Sequence, residues 1–316
     1  MNILITGADG FIGKYLSENL EDNSFNVIRL LRSKKKEQEG TKCIGEINEN
    51  TDWNKILLNI DVVIHLANTA HKPVSKSYKE EKKFINRNFD GTINLAKQCA
   101  KNNVKKFIFL SSVKVIGEKT IKGYKFDELT KTNPQDLYGR VKLKTEKYLM
   151  KIAKNSNLIV TIIRPPLIYG PGVKGNFLKL LKLVNTSFPL PFRSFKNKRS
   201  LLFIGNLTDF VENLLSKEYS VSNTFMISDN DDISFTELIS FLKKFLNNKD
   251  FQFSIPKVFL KIFLKIIGKE SQFFKLSDSL EIDIKKSKKI LNWEPKYDQK
   301  HGLKLTCDWY ASNNQK

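Results

Sequence analysis

Cysteine and histidine are scarce in this chain, with three of each among 316 residues. Cys43, Cys99 and Cys307 lie far apart and form no CxxC pair. Neither a disulfide framework nor a metal site is expected from so sparse and odd a set. Acidic residues are few as well: 33 against 54 basic ones, a net charge of +21. Arginine supplies only 7 of those 54, and the lysines are scattered among many Asn and Ile, as an AT-biased genome produces. No helix-turn-helix, zinc or aromatic-basic module accompanies them, so nucleic acid is not an expected partner. The charge is expected to favour an acidic small molecule and to give weak attraction to an anionic membrane surface. No apolar stretch approaches the ~18–20 residues that span a bilayer, so no integral membrane segment is expected. The opening MNILITG reads as a strand and a turn rather than as a secretory leader, and a cytoplasmic location follows as the expectation.

Hydrophobic residues at 41% and charged residues at 28% suit a globular chain with a sizeable core. Short apolar runs occur at 3–6 (ILIT), 26–31 (NVIRLL), 61–66 (DVVIHL), 106–110 (KFIFL) and 158–163 (LIVTII). Helical periodicity separates them, at 11–20, 84–100 and 138–153. Fully apolar strands alternating with helices specify a parallel sheet covered on both faces, a doubly wound α/β fold of the Rossmann type. After Arg164 the alternation breaks at Pro165-Pro166 and Gly170-Pro171-Gly172. We therefore expect a dinucleotide-binding domain at 1–164. Residues 165–316 are expected to form mainly a smaller substrate-binding region, with some segments returning to the first domain. Residues 255–268 (IPKVFLKIFLKIIG) read either as a membrane-surface helix or as a packed helix whose lysines reach solvent, and packing is the expectation.

Gly7-Ala8-Asp9-Gly10-Phe11-Ile12-Gly13 is a GxxGxxG turn between the first strand and the first helix. Glycines there allow a tight turn, close approach of a pyrophosphate and close helix–strand packing, and the helix N-terminus offers N–H groups to phosphate. Gly7, Gly10, Phe11, Ile12 and Gly13 are the expected cofactor contacts. A carboxylate at the end of the second strand selects NAD through the ribose 2′-OH, whereas an arginine accommodates the phosphate of NADP. Here that strand runs into Leu31, Arg32 and lysines 34–36 with no carboxylate, so NADP(H) is expected over NAD(H), with Arg32 as the contact. Glu46 is a candidate partner for the adenine amino group.

Tyr138-Gly139-Arg140-Val141-Lys142 is a YxxxK motif on a predicted helix, and the i, i+4 spacing sets both side chains on one face. A free tyrosine, with pKa about 10, is too weakly acidic to serve as a base at neutral pH. A nearby ammonium and an oxidised nicotinamide both favour tyrosinate. Ser111-Ser112 ends the fourth strand, at the edge where a doubly wound sheet opens its ligand crevice.

With these motifs the sequence resembles the extended short-chain dehydrogenase/reductases, in particular the UDP-glucose 4-epimerase-like group. The resemblance covers nearly the whole chain through GADGFIG (7–13), DVVIHLAN (61–68), NFDGT (88–92), FLSSVKVIGE (109–118) and YGRVK (138–142). It continues in RPPLIYGPG (164–172), GNFLKLLKLV (175–184), KRSLLFIGNLTDF (198–210) and LNWEP (291–295). It implies Ser112, Tyr138 and Lys142 as the catalytic set, and Leu66, Ala67, Asn88 and Lys142 as further cofactor contacts. Asn176 and Arg199 are the implied contacts to a nucleotide diphosphate. Dehydratases of the family carry Asp-Glu where this chain has Val113-Lys114, so dehydration is not expected. The KVxGE stretch looks most like a subgroup linked to bacterial surface polysaccharides, which includes reductases that make UDP-N-acetylquinovosamine from the 4-keto-6-deoxy sugar. The expectation is therefore a UDP-sugar 4-reductase, with Lys114 touching substrate; the alternatives are a 4-epimerase with retained NAD and a non-catalytic dinucleotide sensor. The resemblance also implies a homodimer formed through the YxxxK helix.

Overall fold

In a computed structural model the described residues are 1–23, 25–33, 40–68, 77–217, 221–266 and 270–314. Two compact units emerge. One comprises residues 1–116, 131–165 and 211–225, and the other residues 117–130, 166–210 and 226–316.

The first unit is built on strands β1 (Asn2–Thr6), β2 (Asn26–Leu31), β3 (Thr41–Cys43), β4 (Val62–His65), β5 (Lys106–Leu110) and β6 (Ile159–Arg164). After the short strands β7 (Leu167–Tyr169) and β8 (Leu201–Phe203), strand β9 (Asn223–Met226) joins the same sheet. In the order β3-β2-β1-β4-β5-β6-β9 the chain winds outward from β1 to β3 on one side and from β4 to β9 on the other, so the strand order reverses between β1 and β4, the doubly wound arrangement. Register aligns Leu4 with Val63, Val63 with Phe107, and Phe107 with Val160 in parallel pairing. That row packs under Leu95, Ala96 and Cys99 of one helix and Val141 and Leu149 of another. Ile3, Ile5, Ile64 and Ile108, the alternate residues, are buried as well. Burial of both faces explains why these strands are apolar without alternation.

Its helices are α1 (Phe11–Asp22), α2 (Asn54–Leu57), α3 (Tyr78–Ile85), α4 (Gly91–Lys101) and α5 (Leu137–Lys154). The single helix expected over 84–100 is interrupted: a π turn at Asn86–Asp90 separates α3 from α4. The cause is local. The Asn88 amide donates to Phe84 O at 2.8 Å and competes for a carbonyl that the α-helical ladder uses.

The second unit contains β7 and β8, paired in parallel, with helices α6 (Gly175–Val184), α7 (Ile204–Ser216, whose last turns belong to the first unit), α8 (Phe235–Phe245), α9 (Lys257–Ile266), α10 (Glu270–Ser277), α11 (Lys285–Leu291) and α12 (Gln299–Asn314). Buried Asp229 ties it together, accepting bonds from Tyr169 OH, Phe203 N and Asn206 Nδ2, each at 2.8 Å. Trp293 of the LNWEP stretch donates to Asp209 Oδ2 at 2.6 Å and meets Phe210 edge-on. Among the described residues no helix is long and apolar enough to cross a membrane.

Candidate active site

The glycine turn leaves β1 at Gly7, whose φ of +70° is the left-handed region that L side chains avoid. A Cβ on Gly7 would stand 2.9 Å from the Ala67 backbone, and one on Gly13 would stand 2.2 Å from Gly7 O. These glycines therefore let the ends of β1 and β4 and the start of α1 close on one another. Gly10 caps α1 without any side-chain bond to its first turn. The leading N–H groups of α1 have no intrahelical acceptor, which is the arrangement that receives phosphate oxygens.

A hydrogen-bonded chain runs behind this turn. Thr6 Oγ1 accepts the Leu66 and Ala67 N–H groups, each at 3.2 Å, and lies 2.8 Å from His65 Nδ1. With both lone pairs engaged, the Thr6 hydroxyl donates to Nδ1. His65 Nε2–H then donates to Thr92 Oγ1 at 2.9 Å, and Thr92 donates to Asn88 O at 3.0 Å. Burial, aided by the positive Lys142, pushes His65 down to about 3, so the ring is neutral. Leu66, Ala67 and Asn88 are thus fixed by one network.

Tyr138 and Lys142 stand on the first turns of α5, at the carboxyl ends of β4 and β5. Tyr138 OH accepts from Asn68 Nδ2 at 3.2 Å. Asn68 Oδ1 is buried and has no partner among the described residues. Lys142 Nζ donates to Leu110 O at 2.7 Å and lies 4.2 Å above the Phe109 ring and 5.9 Å from the Tyr138 ring centre. Burial raises Tyr138 to about 12, the Asn68 bond opposing and Asp136 assisting. Burial lowers Lys142 to about 7, partly offset by Glu146. Both shifts favour the neutral forms of the two side chains.

The two serines at the end of β5 are separated by the fold. Ser111 is buried and donates to Glu146 Oε1 at 2.5 Å; that carboxylate also grips Arg164, with Nη2 to Oε2 at 2.6 Å. Ser112 is half-buried and accepts Lys114 N at 3.3 Å, opening a short turn at Val113–Val115. Lys114 Nζ pairs with Asp136 Oδ2 at 2.5 Å, and Asp136 Oδ1 caps α5 by accepting Gly139 N at 2.7 Å. Gly139 is required because a Cβ there would fall 2.7 Å from Lys114 O.

The remaining predicted residues fall in two places. Arg32 is exposed just past β2; burial, and after it the Arg32 charge, lowers the pKa of Arg87. Arg87 forms an ion pair with Glu46. Lysines 34–36 lie outside the described residues. Asn176 and Arg199 belong to the second unit. Asn176 is exposed on the first turn of α6. Arg199 donates through Nη1 to Asp278 O at 3.0 Å, and burial lowers its pKa. Sequence reasoning did not single out Asn68, Asp136, Glu146 or the Thr6–His65–Thr92 chain. Asn68 and His65 sit inside the DVVIHLAN stretch, and Asp136 precedes YGRVK by a cap's distance, so each had a positional signal.

The described residues hold no group of acids, histidines or cysteines that could bind a metal. The glycine cradle, the start of α1 with no side-chain cap, and the buried Asn68 oxygen with no partner among the described residues fit a dinucleotide. Residues 3–228 match the model of the NAD dependent epimerase/dehydratase family. Over its full length the chain is 36% identical to a UDP-glucose 4-epimerase from Vibrio cholerae, covering 97% of that protein. It is 27% identical, over 84% of the chain and 77% of the relative, to the N-acetyl-alpha-D-glucosaminyl-diphospho-ditrans,octacis-undecaprenol 4-epimerase of Escherichia coli O157:H7. In fold it is similar to the UDP-glucuronic acid 4-epimerase of Bacillus cereus solved with NAD, with a TM-score of 0.79, 23% identity and 99% of each chain covered.

Proposed function

The chain belongs to the NAD dependent epimerase/dehydratase family, and from that premise we propose that it is an enzyme that oxidises and re-reduces C4 of a UDP-sugar as a 4-epimerase. The observation that carries this reading is Tyr138 held by Asn68, the residue after the Ala67 backbone that Gly7 approaches, with Lys142 one helical turn on. The full-length likeness to the Vibrio cholerae 4-epimerase supports it.

In this proposal Gly7, Gly10, Phe11, Ile12, Gly13, Leu66, Ala67, Asn88 and Lys142 hold a nicotinamide dinucleotide, with Arg32 and Glu46 towards its adenosine end. That group supplies the hydride acceptor and donor and, when oxidised, a positive charge. Tyr138 would take the proton of the C4 hydroxyl and later return a proton to the same oxygen, the hydride exchange at C4 being the chemistry that the dinucleotide would supply. Lys142 keeps the tyrosinate charge compensated, and Ser112 donates to the reacting oxygen. Asn68 fixes the ring so that its hydroxyl stays in reach. Lys114, Asn176 and Arg199 are assigned to the UDP-sugar, residues 166–210 and 226–316 forming the main substrate region. A homodimer and a cytoplasmic location belong to the same proposal.

A second reading, reduction of a UDP-4-keto-6-deoxy sugar by exchangeable NADPH, is favoured by Leu31 standing where NAD-selective sites carry an acid and by the basic Arg32 beside it. Both are tested by the nucleotide content of the purified protein, followed by turnover. Retained NAD, with UDP-hexoses interconverted without added cofactor, is the expected result. An empty site, with NADPH consumed only with the keto sugar, establishes the reductase. In either case Tyr138→Phe is expected to lose ~10²–10⁴ of the rate while keeping its nucleotide affinity. Wild-type turnover in that variant overturns the catalytic assignment.

A further inference from the structure

Residues 255–268 were expected to pack as a buried helix whose lysines reach solvent, and among the described residues one apolar face is exposed instead. Ile267 and Gly268 lie outside the described residues. In α9 (Lys257–Ile266), Val258 is 65% exposed, Phe259 66%, Ile262 50% and Ile266 78%. Val258, Ile262 and Ile266 are four residues apart and Phe259 falls three before Ile262, so the four side chains form one stripe. Leu260, 7% exposed, turns the other way and seats the helix on its own unit. Single exposed apolar residues are ordinary, but a continuous stripe along a helix is not.

The charges are as ordered as the apolar residues. Lys257, Lys261 and Lys265 recur at the same four-residue interval, about 100° round the helix from Val258, Ile262 and Ile266. No acidic residue occurs between Asp250 and Glu270. Lys257 Nζ lies 5.3 Å from the Phe195 ring centre and Lys261 Nζ 5.1 Å from that of Phe274, so their aliphatic stems run along apolar surface. Phe274 on α10 is itself exposed, as are Phe251 and Phe253 just before the helix.

We propose that α9 docks the protein on an anionic lipid bilayer. The apolar stripe enters the boundary between headgroups and acyl chains, and the lysine row beside it meets lipid phosphates. Ten residues at ~1.5 Å each give a helix of ~15 Å, half the ~30 Å hydrocarbon core, so α9 lies in the plane of the surface rather than across it. Charge complementarity selects this occupant. A second copy meeting the same face would bring two lysine rows together in a chain that already carries +21, whereas an anionic bilayer neutralises them. The proposal is independent of the reaction at C4.

Co-flotation of the full-length protein with phosphatidylglycerol–phosphatidylcholine vesicles, and with phosphatidylcholine alone, tests it. The wild type is expected to float with the anionic vesicles only. Phe259→Ser/Ile262→Ser, which removes exposed groups and leaves every charge in place, is expected to lose most of that binding. A Phe259→Trp variant is expected to show blue-shifted emission on adding anionic vesicles. Equal flotation of wild type and the double serine variant assigns the attraction to net charge and overturns the proposal. So does absence of wild-type flotation accompanied by self-association that the serine variant abolishes.

Discussion

At the scale of single residues, His65 has the most constrained chemistry. It has no access to water, and its two ring nitrogens are committed to Thr6 and Thr92 in a chain that admits one tautomer. A second ring proton would face a hydroxyl hydrogen, since Thr6 spends its lone pairs on two backbone N–H groups. The ring titrates near 6.5 when unfolded and near 3 when folded. Between those values the unfolded chain binds more protons, so this contribution is complete above the unfolded value and is lost as pH falls towards the folded one. Each pH unit inside the window costs on the order of 1 kcal/mol. Urea midpoints from pH 7 to pH 4 should therefore fall more steeply for the wild type than for His65→Asn, which keeps hydrogen-bonding capacity without a titrating ring. Parallel profiles would discard the account.

At the same scale the sequence showed the tyrosine, the lysine and the glycine turn because their spacings are themselves the signal. It did not show which of Ser111 and Ser112 is buried against a partner and which is left half-buried, since both have the same chemistry. The distinction arises from Glu146 and Arg164, 35 and 53 positions beyond Ser111, and a long-range buried ion pair leaves no local pattern. Lys114 was read as a substrate contact, and its pairing with Asp136 means that such a contact competes with an existing one.

At the scale of elements, strands buried on both faces are the most legible, and β2 and β5 occupy the ranges their apolar runs specify. Periodicity failed over 84–100 because a side-chain amide, not the hydrophobic pattern, diverts the ladder at Asn88. It failed differently at α9, where a pattern suited to packing in a core is turned outward; amphipathicity states that a face is apolar and not what covers it. The start of α5 shows what a few residues can fix. Asp136 caps the helix, Gly139 lets it approach the Val113–Val115 turn, and Tyr138 between them is thereby aimed. Loss of the cap in Asp136→Ala is expected to lower stability by about 1 kcal/mol in urea unfolding. Asp136→Asn retains a capping oxygen and should stay near wild type in stability although its charge pairing with Lys114 is gone. If the alanine variant is as stable as the asparagine one, the cap does not hold α5 in place.

At the scale of the molecule, the chain's order and its compact units differ. Residues 117–130 and 211–225 each belong with a unit that most of their neighbours in sequence do not join, an exchange that no local propensity encodes. Charge, by contrast, is wholly legible from composition, and its consequence is physical rather than architectural. An excess of +21 raises the local concentration of any diphosphate ligand before a single contact forms. Screening acts on that long-range part first: the Debye length shrinks from ~30 Å at ~10 mM salt to ~10 Å at ~100 mM. KM for the UDP-sugar should therefore rise several-fold across that range while kcat changes little, because groups packed around Tyr138 and Lys142 are screened far less than those on the surface. Equal KM at both salt concentrations would mean that substrate capture rests on short-range contacts alone, and that the lysine excess has no part in the reaction.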